Sequence, residues 1–418
     1  MATLTMLEGE LVLKGLGANA RVRIPGYAAI GGPCRSPVAV QPMLTVDGIY
    51  AEFGNLQNGY ELMDNAAYQC KHPCIRVLNG GTLYMNANQP AGYACTKAGT
   101  DITYAITNAT LQNASVAAYI SRSTNPNSPL VRYFANNSQI IAAESMTQAG
   151  SVSVDLDNGS YFGCANGWPL VFKSLDPTRI YGEILTRNGS TLAMSSYAES
   201  ASQNNRLTFA FDDGEWVWSK TGATATWPAS VKGFTVFEMR GRGVILKPAA
   251  GATFTTLAPF TGAGGVVVDG PGTVAFGAEG TYAFSGVCDV QEGTADLTDA
   301  GTIAAATFAG TGTVKGAKVT RAKVAAALKD DWTTDGLPVF SDCSIGTLVI
   351  DAGRTAENPL PADFPQNVAV AKWTGAGALP RFRLSNTGIR NVGADFTVDP
   401  DGTVRMTPHE VGVILIVR

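Results

Sequence analysis

The chain is short of charge. Only 15% of its 418 residues are Asp, Glu, Lys or Arg, and two are His. No Lys/Arg cluster stands out along the sequence, and the net charge is −4, so the electrostatic footprint of a nucleic-acid binder is lacking. No apolar run nears the ~20 residues that a membrane-spanning helix needs. No transmembrane segment is therefore expected; the last apolar run, residues 411–417, is strand-length. The first residues, MATLTMLEGELVLKG, have no basic stretch followed by an apolar one, so they do not read as a signal peptide. That leaves three settings: a chain kept inside the cell, a mature segment with an added Met, or a phage protein released by lysis. Seven cysteines are an odd number and no disulfide framework, although four of them fall before residue 96.

Other absences concern chemistry. There is no Walker phosphate loop, no GxSxG, no dinucleotide glycine pattern, no EF-hand loop and no calcium nonapeptide, so no cofactor is expected. Cys70-Lys71-His72-Pro73-Cys74 suggests a metal, but zinc takes four ligands and the other His, His409, is remote in sequence. A disulfide or two free thiols is the expectation there, and no metal.

What the chain has in abundance is glycine, 47 residues, with Thr, Val and Ala in short alternating runs. Low charge and many corners suit an all-β protein, not a disordered one. Within residues 266–319 an alternating run three times meets a Gly-Thr corner: Gly272-Thr273, Gly293-Thr294 and Gly312-Thr313. The same shape recurs along the chain. Marking the residue after each corner gives Tyr60, Thr82, Thr110, Ser138, Ser160, Ser190, Glu215, Val244, Thr273, Thr294, Thr313 and Thr347. Intervals of 19–30 residues, with one last interval of 34, have the period of a solenoid coil. A strand between turns cannot bury its inward face alone, but coils stacked at ~4.8 Å can. Gly and Asn belong at the corners, where a left-handed backbone is needed.

The expected fold is therefore all-β: a single-stranded parallel β-helix, or β-solenoid, of about twelve coils, with right-handed winding as the default. Residues 1–50 read as an N-terminal cap and residues 51–355 as the solenoid. Ala-rich residues 320–332 read as a helix-like insertion that accounts for the longest interval. Residues 356–418 read as a connector and a C-terminal β cap, with a hairpin across Pro400-Asp401-Gly402.

The run 264–319, GPGTVAFGAEGTYAFSG followed by VQEGTADL, resembles the autotransporter-associated β-strand repeat in its Gly-x-Gly-Thr, its Tyr-x-Phe step and its closing Gly-Thr. Here that close reads Gly293-Thr294-Ala295, a departure from the usual Leu. The resemblance implies a right-handed β-helix that is secreted or exposed on a bacterial cell surface, in adhesin-like proteins.

Putting neighbouring coils in register brings candidate site residues together. Asp157, Arg187 and Asp212 stand three before their markers, and Asp213 and Arg242 two before theirs. The plain expectation is a solvated ion-pair ladder worth ~0.5 kcal/mol per pair. The sharper alternative is a glycosidase. Asp157 and Asp212 would stand two coils, about 9.6 Å, apart, near the ~6.5–9.5 Å of inverting enzymes. One would protonate the leaving oxygen while the other activates water. An Arg between them suits the ladder better than an acid that must hold its proton. Trp216 and Trp218 alternate on one face and, with Trp227, could form a platform for sugar rings; Phe209 and Phe211 read as stacked core. Five Asn-x-Ser/Thr sites, at Asn108, Asn113, Asn136, Asn158 and Asn188, fit a corner ladder better than glycosylation.

The leading expectation is a non-enzymatic structural or adhesive module, extracellular or on a cell surface, with a glycan or a host or cell-surface molecule as ligand. The alternatives are a polysaccharide-active β-helix, hydrolase or lyase, and a phage tailspike-like receptor-binding protein, which would be a homo-oligomer.

Overall fold

The computed structural model describes residues 3–6, 8–17, 19–31, 41–58, 72–86, 101–114, 117–122, 130–143, 145–149, 151–164, 170–174, 181–198, 206–217, 225–227, 235–257, 260–277, 282–301 and 307–411. These residues are strands and turns, without a helix among them. They fall into two units, Met1–Lys220 with Trp227–Val244, and Thr221–Thr226 with Ile245–Arg418. Each is a parallel β-solenoid.

In the first unit a coil consists of three short strands, and each strand joins its own ladder. One ladder runs through Glu10–Lys14, Met43–Asp47, Cys74–Leu78, Ile102–Thr107, Val131–Asn136, Val152–Asp157, Tyr181–Arg187 and the start of Arg206–Val217, parallel throughout. A second runs through Thr82–Met85, Thr110–Asn113, Gln139–Ala142, Tyr161–Cys164, the start of Thr191–Ala198 and the end of Arg206–Val217. A third includes Ala117–Arg122, Ser145–Ala149, Leu170–Ser174 and the end of Thr191–Ala198. Period-two alternation sends every second side chain inward, and the register stacks like on like. Leu44, Ile75, Tyr104, Tyr133, Val154, Ile184 and Phe209 form one buried row. Within it the Tyr104 and Tyr133 rings lie 4.6 Å apart at 4°.

The corner between the first two ladders carries three of the expected asparagines, Asn108, Asn158 and Asn188, together with Asn79 and Asn137. Asn79, Asn108, Asn137, Asn158 and Asn188 all have left-handed φ, from 46° to 55°. Asn is the non-glycine residue that bears this conformation at least cost. Beside them runs a serine ladder that the sequence markers already traced. The N–H of Ser138 donates to Ser160 Oγ (3.1 Å), and that of Ser160 to Ser190 Oγ (3.1 Å). Two of the Asn-x-Ser/Thr sites stand elsewhere: Asn113 is a buried strand residue and Asn136 ends a strand.

In the second unit the Gly-Thr corners are in register as spelled. Thr273 pairs with Thr294, and Thr294 with Thr313. The ladder extends to Thr253 on one side and to Val339 and Lys372 on the other. Inward of it lies the buried row Phe254, Val274, Ala295, Val314, Phe340, Trp373. A further parallel ladder joins Lys318–Ala325, Ser344–Arg354 and Arg381–Thr387. The expected hairpin closes the unit: Val392–Val398 and Thr403–Glu410 pair antiparallel, and the latter also pairs with Val368–Thr374. Gly402, at φ 86°, donates its N–H to Asp399 O across the turn.

Several expectations change. The helix over 320–332 is absent: Lys318–Ala325 is a strand with Ala322 and Val324 buried and Arg321 and Lys323 exposed, a period of two. Pairing on both sides outweighs alanine's helix preference. Thr347 is not the coil after Thr313; Val339 is, and Thr347 belongs to the ladder of Arg321 and Arg381. Tyr60 lies outside the described residues, and the partner of Thr82 is Tyr50. Residues 1–50 carry strands paired in parallel with those that follow, and residues 356–380 contain the strand Val368–Thr374.

Candidate functional site

The outward face of the first unit's first ladder gathers the candidate carboxylates. Leu156 pairs with Thr186 and Arg187 with Asp212, so Asp157, Arg187 and Asp212 do stand in line on successive coils. Arg187 turns toward the earlier coil. Its Nε and Nη2 donate to the two oxygens of Asp155 (3.0 and 3.1 Å), and Nη2 lies 3.1 Å from Asp157 Oδ2. Asn188 Nδ2 donates to the other oxygen of Asp157 (2.7 Å). Asp212 is held differently: its carboxylate fills the space where a side chain at Gly241 would begin, and Gly241 has φ 45°. Asp213 meets Arg242 at 3.5 Å on an open edge.

The same face continues the pattern with residues the spacing argument passed over. Arg132 pairs with Asp101 at 2.8 Å. Arg240 bridges Glu238 and Glu183, both at 2.8 Å. Hydrogen bonding to Glu238 and then burial act oppositely on Arg240, and with Glu183 the net effect is to raise its pKa. The signal for Asp155 was present: it stands two before Asp157 on the same outward face. Chemically this is a neutralised ladder. Among the described carboxylates of this face, Asp101, Asp155, Asp157, Glu183, Asp213 and Glu238 are each joined to a guanidinium.

The aromatic platform fails at Trp216. Its ring is 1% exposed and continues the inward row Ala51, Leu83, Leu111, Ile140, Phe162, Leu192. It stacks on Phe211 (5.8 Å) and Phe237 (5.5 Å). Phe209 and Phe211 are buried as expected. Trp218 lies outside the described residues. Trp227 lies in the strand Ala225–Trp227, and its side chain is outside the described ones.

Cys74, Cys164, Cys288 and Cys343 are buried free thiols; Cys70 lies outside the described residues. Burial, with Asp289 nearby, pushes Cys288 up to about 12. Among the described residues no three His, Cys, Asp or Glu side chains gather as a metal site, and no helix is long and apolar enough to cross a membrane.

In the second unit, Lys315 pairs with Asp296 (2.9 Å) and Lys323 with Asp351 (2.7 Å). Asp351 also accepts from Asn386 Nδ2 (2.9 Å) and the Gly353 N–H (3.0 Å). No protein-family model matches the chain, and neither the curated proteins nor the solved structures contain a match to it.

Proposed function

We propose that the chain is a non-enzymatic structural or adhesive β-solenoid module that works outside the cell or on its surface. The observation that carries this reading is the clamp of Arg187 on Asp155 and Asp157. A general acid must hold a proton that it can give away. Both oxygens of Asp157 are engaged in tying neighbouring coils together, one by the Asn188 amide and one by the Arg187 guanidinium. The resemblance of residues 264–319 to the autotransporter-associated repeat points the same way.

The test is turnover. The chain is incubated with a panel of neutral and acidic polysaccharides, and reducing ends and unsaturated products are measured. The expected result is no product from any glycan, with Asp157→Asn and Asp212→Asn indistinguishable from the parent. Product formation that Asp212→Asn abolishes overturns the reading in favour of a glycosidase.

A further inference from the structure

The last coils of the second unit break the rule by which charges are arranged elsewhere. In the first unit a base on one coil meets an acid on the next. On the ladder of Lys318–Ala325, Ser344–Arg354 and Arg381–Thr387 the register runs Arg321, Thr347, Arg381 in one row and Lys323, Val349, Arg383 in the next. All four cations are exposed, and the coil between them is neutral at both positions. Asp351, on the middle strand of this ladder, is neutralised by Lys323. Arg321, Arg381 and Arg383 have no ion pair or hydrogen bond to any described side chain.

An open groove of about 410 Å³, lined by Thr307, Arg321, Lys323, Val349, Ser385 and Asn386, lies over part of this face, with Arg381 and Arg383 on the adjoining outer strand but outside its lining. Charged residues on an outer strand can serve simply to deter edge pairing. That accounts for Arg381 and Arg383 but not for Arg321 and Lys323, whose strand is paired on both sides.

We infer that this face binds an extended acidic glycan, with its carboxylates or sulfates between Arg381 and Arg383 of the outer strand and Arg321 two strands in. The spacing selects the class of ligand. Cations here recur at roughly 7 Å along a strand and about 9.6 Å across two strand spacings. A sugar chain with a charge on every one or two rings matches so sparse an array. Duplex nucleic acid, with a charge every ~1.7 Å of axis, would be under-neutralised by so sparse an array. Guanidinium forks suit carboxylate and sulfate oxygens, and the Thr307 and Ser385 hydroxyls can serve sugar hydroxyls.

This inference rests on the adhesive reading, and the two fail separately. Binding of polygalacturonate, heparin, neutral dextran and oligo-dT is measured by titration calorimetry at low and at physiological salt. The parent is compared with the triple variant Arg321→Gln, Arg381→Gln, Arg383→Gln. The single variant Arg321→Gln is compared in turn with Lys315→Gln, the same charge change outside the groove, as the control, and circular dichroism checks that each variant folds. The expected result is salt-sensitive binding of polygalacturonate or heparin, none of dextran, and a loss of about a thousandfold in the triple variant, at about tenfold for each of its three charged contacts. The control keeps the parent affinity. Whichever of the two polymers binds more tightly tells carboxylate from sulfate. Parent-like binding by the triple variant, no binding of either acidic glycan, or tighter binding of oligo-dT overturns the inference. Turnover of a bound glycan overturns the adhesive reading instead.

Discussion

Trp216 decides between a core and a platform, and the decision can be made by truncation. The indole stacks on Phe211 and Phe237 and lies in register with Leu192 on the preceding coil. A buried aromatic ring removes ~150–250 Å² from water, worth ~4–6 kcal/mol at 25 cal/mol per Å². The spacing of the coils is pinned at ~4.8 Å by strand hydrogen bonds, so the rows cannot close over the gap. Trp216→Ala should therefore cost near the upper part of the ~3–5 kcal/mol seen for Trp or Phe truncation. Trp216→Phe keeps a flat ring in the stack and should cost much less. The assay is urea unfolding followed by far-ultraviolet circular dichroism, read as a shift in midpoint. Should Trp216→Ala unfold at the parental midpoint while losing affinity for a glycan, the ring is a surface platform and the reasoning is wrong.

Other expectations follow from the corner and the acids. Ser160→Ala strands the buried N–H of Ser138, whose acceptor is Ser160 Oγ; the cost is ~1–3 kcal/mol by the same unfolding assay, and a neutral result would show that water replaces the hydroxyl. Burial pushes Asp351 up, but hydrogen bonds from Lys323, the Gly353 N–H and Asn386 outweigh it, so its pKa is lowered. A lowered folded-state pKa contributes stability that is present above the ordinary carboxylate range and lost as pH falls through the folded value. Unfolding midpoints at pH 7 and in acid should converge in Asp351→Asn relative to the parent, and an unchanged pH slope would remove Asp351 from the account.

How much of this was legible depends on what a corner spells. Gly272-Thr273, Gly293-Thr294 and Gly312-Thr313 gave the register correctly because each glycine sits where an added Cβ would press on a carbonyl of the neighbouring coil or on Val290. Gly346-Thr347 spells the same pair for a related reason, a close approach to Thr320 O, but at a different corner. The dipeptide reports crowding, and crowding occurs on more than one edge of a coil. Thr253 was missed because Ala252 stands where later coils have Gly. The line Asp157, Arg187, Asp212 was legible, since a constant offset from a corner survives stacking. The inward side of Trp216 was not, because Trp218 on the same parity offered an outward reading just as well. The cationic rows were the least legible. Arg321 and Arg381 meet only through Thr347, and that register depends on reading 318–325 as a strand, which its alanines obscure.

The neutral coil between those rows also explains how the protein tolerates them. Two like charges on adjacent coils, ~4.8 Å apart, repel by about 1 kcal/mol even at the dielectric constant of water. A neutral coil between them doubles the distance to about a Debye length at physiological salt, where most of the repulsion is screened. Three unpaired arginines can thus be kept ready at little cost to stability. This makes Thr347 the informative position. Thr347→Asp puts a carboxylate between Arg321 and Arg381 and gives both a partner, so the unit should gain up to ~1 kcal/mol, the upper end for an exposed pair. The same carboxylate occupies the place of the ligand's charge, so binding of the acidic glycan should fall at least as far as in a single Arg→Gln variant. A structural role for the arginines predicts that stability and binding rise or hold together. A binding role predicts that they part, with urea midpoint up and affinity down in the same variant, and unchanged affinity in a stabilised Thr347→Asp protein would refute it.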